Sequence, residues 1–192
     1  MTALHPSIRI GRQLEEVLAR HTDLNRADRE QAVLAALHEV EIPDPKFSSK
    51  KYPHEMSGGQ RQRVVIAMAM LMKPKLIIAD EPTTALDKAV EGTILALLNK
   101  LVRESGAALW LISHDLEVVA EVADEVVVLF RGETVETGPA KQVFTAPKHP
   151  YTKGLLGCRP PKEGRPFPLP VLEDFLNDTV PSKQADLAAP IA

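Results

Sequence analysis

Residues 56–87 decide the fold, and they read MSGGQRQR at 56–63, LIIADEP at 76–82 and TALD at 84–87. Ser57 followed three residues later by Gln60 has the form of a capping box, which opens a helix. Gly58 and Gly59 leave the backbone bare at that helix start, where N–H groups and the helix dipole suit a phosphate. The pattern therefore predicts an anion-binding helix that ends before Pro74.

The second half of the stretch places two carboxylates after an apolar run. Residues 76–79 have the composition of a strand buried on both faces. This strand delivers Asp80 and Glu81 at its carboxyl end, where open α/β sheets place their ligands. One carboxylate can hold a Mg²⁺ ion while the other activates a water. A turn would explain Ser-Gly-Gly alone, and a strand end would explain Asp-Glu-Pro alone, but the two in this order are hard to explain as loops.

Composition narrows the class of protein. The 192 residues are 44% hydrophobic and 26% charged, which is typical of one globular domain. A net charge of −3 gives no electrostatic case for a nucleic-acid partner. The single cysteine, Cys158, excludes disulfides and cysteine-rich metal sites within the chain. Apolar runs fall short of the roughly 20 residues of a membrane span. No signal peptide is visible, so we expect a cytoplasmic protein that reaches membranes through a partner.

Periodicity predicts helices alternating with strands around the central stretch. Two helices, at 11–20 and from about Asn25 to Val40, are followed by a polar loop at 46–54. A long amphipathic helix spans 88–105, and Gly106 is a plausible stop. The remaining elements are buried strands at 108–112 and 125–130, a helix at 115–123 between them, and a tight turn into 134–136. This order predicts an α/β fold with a mainly parallel sheet, in which Trp110 belongs to the core.

The central stretch resembles the nucleotide-binding subunit of ATP-binding-cassette (ABC) transporters, and the resemblance runs from about Pro6 to Leu156. Residues 56–60 resemble the signature motif, 76–80 the Walker B strand and 84–87 the D-loop. Glu81 has the position of the catalytic glutamate, and His114, in Ser-His-Asp, that of the switch histidine. The resemblance implies part of a P-loop NTPase-like cassette: a helical subdomain at 1–56, a signature, Walker B, D-loop and H-switch core at 57–138, and a proline-rich, partly disordered C-terminal extension at 139–192.

The resemblance also implies a role for each site residue, with ATP and Mg²⁺ as cofactors. In that family two cassettes face each other head to tail and enclose two ATP molecules. The resemblance implies that Ser57, Gly58 and Gly59 contact the γ-phosphate of ATP held by the other cassette, and that Gln60 supports that helix start. It implies that Asp80 holds Mg²⁺, that Glu81 acts on the attacking water and that His114 contacts the γ-phosphate. Asp87 is implied to cross the dimer and couple the two sites.

One segment bears on the class of transported solute. Residues 149–156, HPYTKGLL, resemble the stretch that follows the cassette in dipeptide and oligopeptide importers. The resemblance implies an ATP-hydrolysing subunit of a peptide importer at the cytoplasmic face of the plasma membrane. Its implied partners are a second cassette (as a homodimer, a heterodimer or a tandem fusion), permease subunits and, indirectly, a substrate-binding protein, with no nucleic acid.

The phosphate-binding P-loop is missing from this sequence. Its pattern, G-x-x-x-x-G-K-[ST], requires a Gly-Lys pair, and the chain contains none. We therefore expect an N-terminally truncated cassette that is inactive alone. Two other functions stay open. A DNA-repair or chromosome-maintenance ATPase shares these motifs, although no sustained heptad pattern appears here. A non-catalytic fragment that only docks on a permease would also lack the P-loop.

Overall fold

The computed structural model describes residues 3–84 and 86–158, which fall into two compact units that divide after His114. The first unit contains α1 (Ile10–His21), α2 (Arg26–Glu39), α3 (Pro45–Ser48), a 3-10 turn (Pro53–Glu55), α4 (Gly58–Met70), β1 (Leu76–Asp80), α5 (Lys88–Ser105) and β2 (Ala108–Ile112). The second unit contains α6 (Leu116–Val122), β3 (Glu125–Phe130), β4 (Glu133–Pro139), α7 (Ala140–Thr145) and α8 (Pro150–Gly157).

Helices α1, α2, α4 and α5 of the first unit share one apolar core. Leu14, Leu37, Val64 and Ile94, one from each helix, are all completely buried in it. The same cluster includes Ile77 from β1. The helices predicted at 11–40 therefore pack directly on the helix that follows the Ser-Gly-Gly motif.

Side chains at the helix ends set the element boundaries. Asn25 and Asp87 each accept a hydrogen bond from the backbone N–H three residues later, at 2.9 Å, and so cap α2 and α5. Gly106 ends α5 with a φ of 69°, the left-handed conformation that glycine adopts most readily. The predicted bounds of the long helix, 88–105, are confirmed, and its six buried positions are the apolar residues Ile94, Leu95, Leu97, Leu98, Leu101 and Val102.

The polar loop predicted at 46–54 is wrong, because α3 and the 3-10 turn occupy much of it. Asp44 accepts the N–H of Phe47 at 3.1 Å, and Pro45 at the first helical position already has the φ that a helix requires. Asp44 and Pro45 therefore start a short helix that runs into the segment predicted as a loop.

Strands β1 and β2 pair in parallel, in a register that runs from Leu76 opposite Ala108 to Asp80 opposite Ile112. The expectation that both strands are buried on both faces is wrong: Ile78 is 65% exposed and Trp110 is 58% exposed. Within the described residues these two strands form a sheet of their own, and only the face that carries Ile77 packs against the core. Trp110 is for the same reason not a core residue.

The second unit is built on an antiparallel hairpin. Strands β3 and β4 turn through Arg131 and Gly132, both with positive φ. Among the described residues, parallel pairing is thus confined to β1 and β2. The ring of Tyr151 in α8 stacks on Phe130 of β3, with the ring centroids 4.2 Å apart. Of the predicted C-terminal extension, residues 139–158 form α7, α8 and their flanks, while the disorder expected farther on concerns residues outside the described ranges.

Within the described ranges, no helix is both long and apolar enough to span a bilayer.

Candidate active site

Glu81 follows the last residue of β1 in an uncommon backbone conformation. Its φ is 48°, in the left-handed region that non-glycine residues rarely adopt. The Glu81 N–H donates to the carbonyl of Ile112 at 2.9 Å, so the pairing of β1 with β2 continues one residue beyond the strand. The positive φ then turns the chain sharply out of the sheet. Such strained residues cluster at functional sites.

The Glu81 carboxylate meets His114 at the shared carboxyl edge of the two strands. Its Oε1 accepts the His114 backbone N–H at 3.1 Å and lies 2.6 Å from the His114 Nδ1. These residues are 33 positions apart in sequence. Parallel strands that end at one edge bring the residues after them together. Two residues predicted separately as catalytic thus form one pair.

A third residue, Thr84, completes the contacts of this carboxylate. Its hydroxyl donates to Glu81 Oε2 at 2.8 Å, and its N–H donates to the Glu81 carbonyl at 3.2 Å. Sequence reasoning quoted Thr84 within the TALD motif without giving it a role. Its position three residues after Glu81, the spacing of a hydroxyl that folds back across a turn, was the available signal.

These donors hold Glu81 in its ionised form. The hydrogen bond from the His114 side chain, followed by that from Thr84, lowers the pKa of Glu81 below its ordinary value, and the small burial of the group does not offset them. With the carboxylate ionised, the proton of the 2.6 Å contact belongs on His114 Nδ1. The His114 side chain is 80% exposed, so a ligand can reach the pair from solvent. An ionised carboxylate beside an imidazole can accept a proton from a bound water.

Asp80 lies beside this pair, as the last residue of β1, and it is exposed. Within the described ranges, no group of three or more histidine, cysteine or acidic side chains could hold a metal by itself. That absence is compatible with Mg²⁺, which usually keeps several waters and takes one or two carboxylates plus substrate phosphates. The donor set at Asp80 therefore suits Mg²⁺ that arrives with a phosphate ligand.

The predicted capping box is present at the start of α4. Ser57 Oγ accepts the Gln60 N–H at 3.2 Å, and Gln60 Oε1 accepts the Ser57 N–H at 3.2 Å. The first N–H groups of a helix have no intrahelical acceptor, so those of Gly58 and Gly59 are available to an anion. Ser57, Gly58, Gly59 and Gln60 thus form a second group of site residues, separate in the chain from the carboxylates.

The glycines of that group also have a packing role. A Cβ on Gly59 would lie 2.8 Å from Val90 Cγ1, and a Cβ on Gly58 would lie 3.2 Å from Leu86 Cδ2. Asp87, between these two contact residues, uses Oδ1 to accept the Val90 N–H and cap α5. The structure therefore brings the segment around Asp87 against the start of α4, which sequence reasoning did not anticipate.

Comparisons with known proteins report on the family that this chain resembles. The family model described as ABC transporter matches residues 1–84, and that described as oligopeptide/dipeptide transporter, C-terminal region, matches residues 135–167. The chain is 49% identical over 160 residues to the dipeptide transport ATP-binding protein DppD of Bacillus subtilis (strain 168), an alignment covering 83% of this chain and 48% of that protein. It is 50% identical over 160 residues to the oligopeptide transport ATP-binding protein OppD of Escherichia coli (strain K12), with the same coverage of 83% and 48%.

The chain thus spans about half the length of the curated relatives it matches. Among solved structures, the dimeric ATP-binding cassette MJ0796 in a post-hydrolysis state bound to ADP and Pi is similar, with a TM-score of 0.61 and 29% identity. That match covers 71% of this chain and 59% of the solved one.

Proposed function

We propose that this chain, which matches the ABC transporter model over residues 1–84, forms part of an ATP-hydrolysing subunit that drives peptide import through a membrane permease. The observation that carries the proposal is the Glu81–His114 pair at the carboxyl edge of β1 and β2. An ionised carboxylate held by an imidazole, next to an exposed Asp80, is an arrangement suited to moving a water proton beside a metal-bound phosphate.

In this proposal Glu81, His114 and Asp80 act on the phosphate held at the sheet edge. Glu81 orients the attacking water and accepts its proton, a role open to a carboxylate that is ionised near neutral pH. His114 keeps Glu81 in place through Nδ1 and presents its other ring nitrogen, Nε2, to the γ-phosphate. Asp80 holds Mg²⁺, directly or through water, and the ion offsets phosphate charge when it is bound.

The residues of the second group act in a dimer of cassettes. Ser57 and the N–H groups of Gly58 and Gly59 bind the γ-phosphate of ATP held mainly by a second cassette, while Gln60 maintains the cap. Asp87, at the N-terminus of α5, crosses to the partner and couples the two sites. The P-loop groups that cradle the phosphates are contributed by a segment with a Gly-Lys pair, which these 192 residues lack.

The proposed solute class and partners rest on similarity. Both relatives named above are transport ATP-binding proteins, for dipeptides in one case and oligopeptides in the other, and the C-terminal match carries the same description. We accordingly assign permease subunits, and indirectly a substrate-binding protein, as partners at the cytoplasmic face of the membrane. No observation on this chain favours a DNA-repair function.

A chimera tests this function directly. The matching half of Escherichia coli OppD is replaced by this chain, so that the remaining half of OppD completes the subunit. The chimera is produced in a strain without OppD, and uptake of a labelled oligopeptide is measured together with ATP turnover of the purified subunit. We expect both activities. In the Glu81→Gln chimera, turnover should fall by roughly 10²–10⁴-fold while ATP binding persists, because a general base contributes about that much.

The outcomes separate the parts of the proposal. Turnover without oligopeptide uptake would contradict the solute class, and turnover that survives Glu81→Gln within a few-fold would remove Glu81 from its role. A chimera that binds the permease but neither binds nor hydrolyses ATP would favour the non-catalytic docking fragment. A matched control is Glu104→Gln, an exposed glutamate on α5, which should leave turnover unchanged.

A further inference from the structure

Glu91, on the first turn of α5, is a nearly buried carboxylate that no motif in the sequence singles out. Its side chain is only 13% exposed. Oε1 accepts the Thr83 hydroxyl at 2.7 Å, and Oε2 lies 3.0 Å from the ammonium of Lys88. A carboxylate removed from water this far is normally held by such partners, and here one of them belongs to the loop that follows Glu81.

Thr83 is the buried end of that contact. It is 8% exposed, and its carbonyl accepts the Leu86 N–H at 3.1 Å, so the loop folds tightly around it. The next residue, Thr84, makes both the hydroxyl bond to Glu81 Oε2 and the N–H bond to the Glu81 carbonyl. Because the two threonines are adjacent in the chain, holding Thr83 in place limits the positions open to the Thr84 backbone, which is also tied to Glu81 by its N–H.

The two oxygens of Glu81 are held by different elements. Oε1 is held by His114, which follows β2, and Oε2 is held by Thr84. Without Thr84 the carboxylate could rotate about its last torsion, which is broad for glutamate. Two hydrogen bonds, from Thr83 to Glu91 and from Thr84 to the Glu81 oxygen that His114 does not hold, are therefore joined by the covalent link between the two threonines.

We propose that Glu91 is a positioning residue, which acts through Thr83 and Thr84 to orient the Glu81 carboxylate toward His114. This assignment rests on the role proposed above for Glu81. Glu91 does not touch the reacting groups. Because Glu91 lies on α5, the orientation of the first turn of that helix affects the geometry of the site.

The experiment measures hydrogen–deuterium exchange of the full 192-residue chain by mass spectrometry, at micromolar concentration and without nucleotide. The reporters are the peptides that contain Thr84 and His114, whose N–H groups both donate to Glu81. Glu91→Ala removes the acceptor, and Thr83→Val removes the donor while keeping its shape. Glu91→Gln keeps an oxygen for Thr83, and Glu104→Ala on the same helix is the matched control.

We expect Glu91→Ala and Thr83→Val to speed exchange in both reporter peptides by roughly five- to tenfold, the change produced by loss of one hydrogen bond. Glu91→Gln should restore slow exchange, and Glu104→Ala should match the unmutated chain. A role for Glu91 in helix stability alone would speed exchange along α5 and leave the His114 peptide unchanged, which would overturn the proposal.

Two further outcomes are decisive. If Glu91→Ala unfolds the chain, Thr83→Val decides: unchanged exchange at His114 would overturn the proposal, and faster exchange would support it. Because no nucleotide is present, these results do not depend on hydrolysis. Failure of the chimera to turn over ATP would count against the proposed function and would leave the exchange result standing.

Discussion

The packing of the start of α4 against α5 leads to a stability prediction at Gly59. A Cβ at this position would lie 2.8 Å from Val90 Cγ1, well inside the 3.4–4 Å of ordinary contact. Val90 cannot readily turn away, because a β-branched side chain in a helix has one strongly preferred rotamer. Gly59→Ala should therefore strain this junction, quite apart from any effect on phosphate.

The magnitude follows from two opposing contributions. Overpacking of this kind costs about 1–3 kcal/mol. Replacing glycine by alanine in a helix gains up to about 1 kcal/mol. Gly59→Ala should therefore destabilise the first unit by up to about 2 kcal/mol. Gly92, inside α5, has nothing within 4 Å of an added Cβ, so Gly92→Ala receives only the gain and should be stabilising.

A double-mutant cycle with Val90→Ala isolates the clash. Unfolding in urea is followed by the fluorescence of Trp110, the only tryptophan, which lies in the same unit as both residues. Val90→Ala should destabilise the unmutated chain and should be neutral or stabilising in the Gly59→Ala background, with a coupling energy of about 1 kcal/mol or more. Additive effects, or a Gly59→Ala protein as stable as Gly92→Ala, would refute the packing argument.

Three further predictions concern other parts of the chain. In the chimera, Ser57→Arg should impair ATP-driven dimerisation more than ATP binding by one cassette, since it blocks the phosphate approach and removes a cap; loss of monomer binding with intact dimerisation would contradict this. Replacing the exposed Ile78 and Trp110 by threonine should reduce self-association in light scattering, because both side chains lie on the bare face of the β1–β2 sheet. Burial raises the pKa of Glu136, but the net shift of its pKa is downward, and the Lys148 and His149 N–H groups, which donate to its carboxylate at 2.9 and 3.1 Å, contribute to that lowering. The folded-state pKa of Glu136 is thus below the ordinary 4.5. The docking of α8 should therefore be fully stable above that pH and weaken as pH falls further. In the Glu136→Gln chain, hydrogen exchange should show no such loss of protection in α8.

The sequence alone determined the elements whose causes are local. The bounds of α5, its six buried positions and the reciprocal cap of Ser57 and Gln60 depend on periodicity and on side chains within one turn of the helix end. The α/β fold class followed from the alternation of helices and strands and the resemblance to ABC transporters from motifs at short spacing, and the matches to ABC proteins support both. The predicted domain boundaries and the roles of the individual site residues stay predictions.

Only the tertiary structure decided which distant groups meet and which apolar faces stay open. The Glu81–His114 pair, the Gly59–Val90 contact and the nearly buried Glu91 depend on how β1, β2, α4 and α5 pack, and no spacing rule encodes that. Trp110 shows the converse. Its sequence context is that of a buried strand, yet burial requires a covering layer, and within the described residues only one face of its sheet has one. Local pattern specifies what a segment can become, whereas burial and site geometry are set by the segments packed against it.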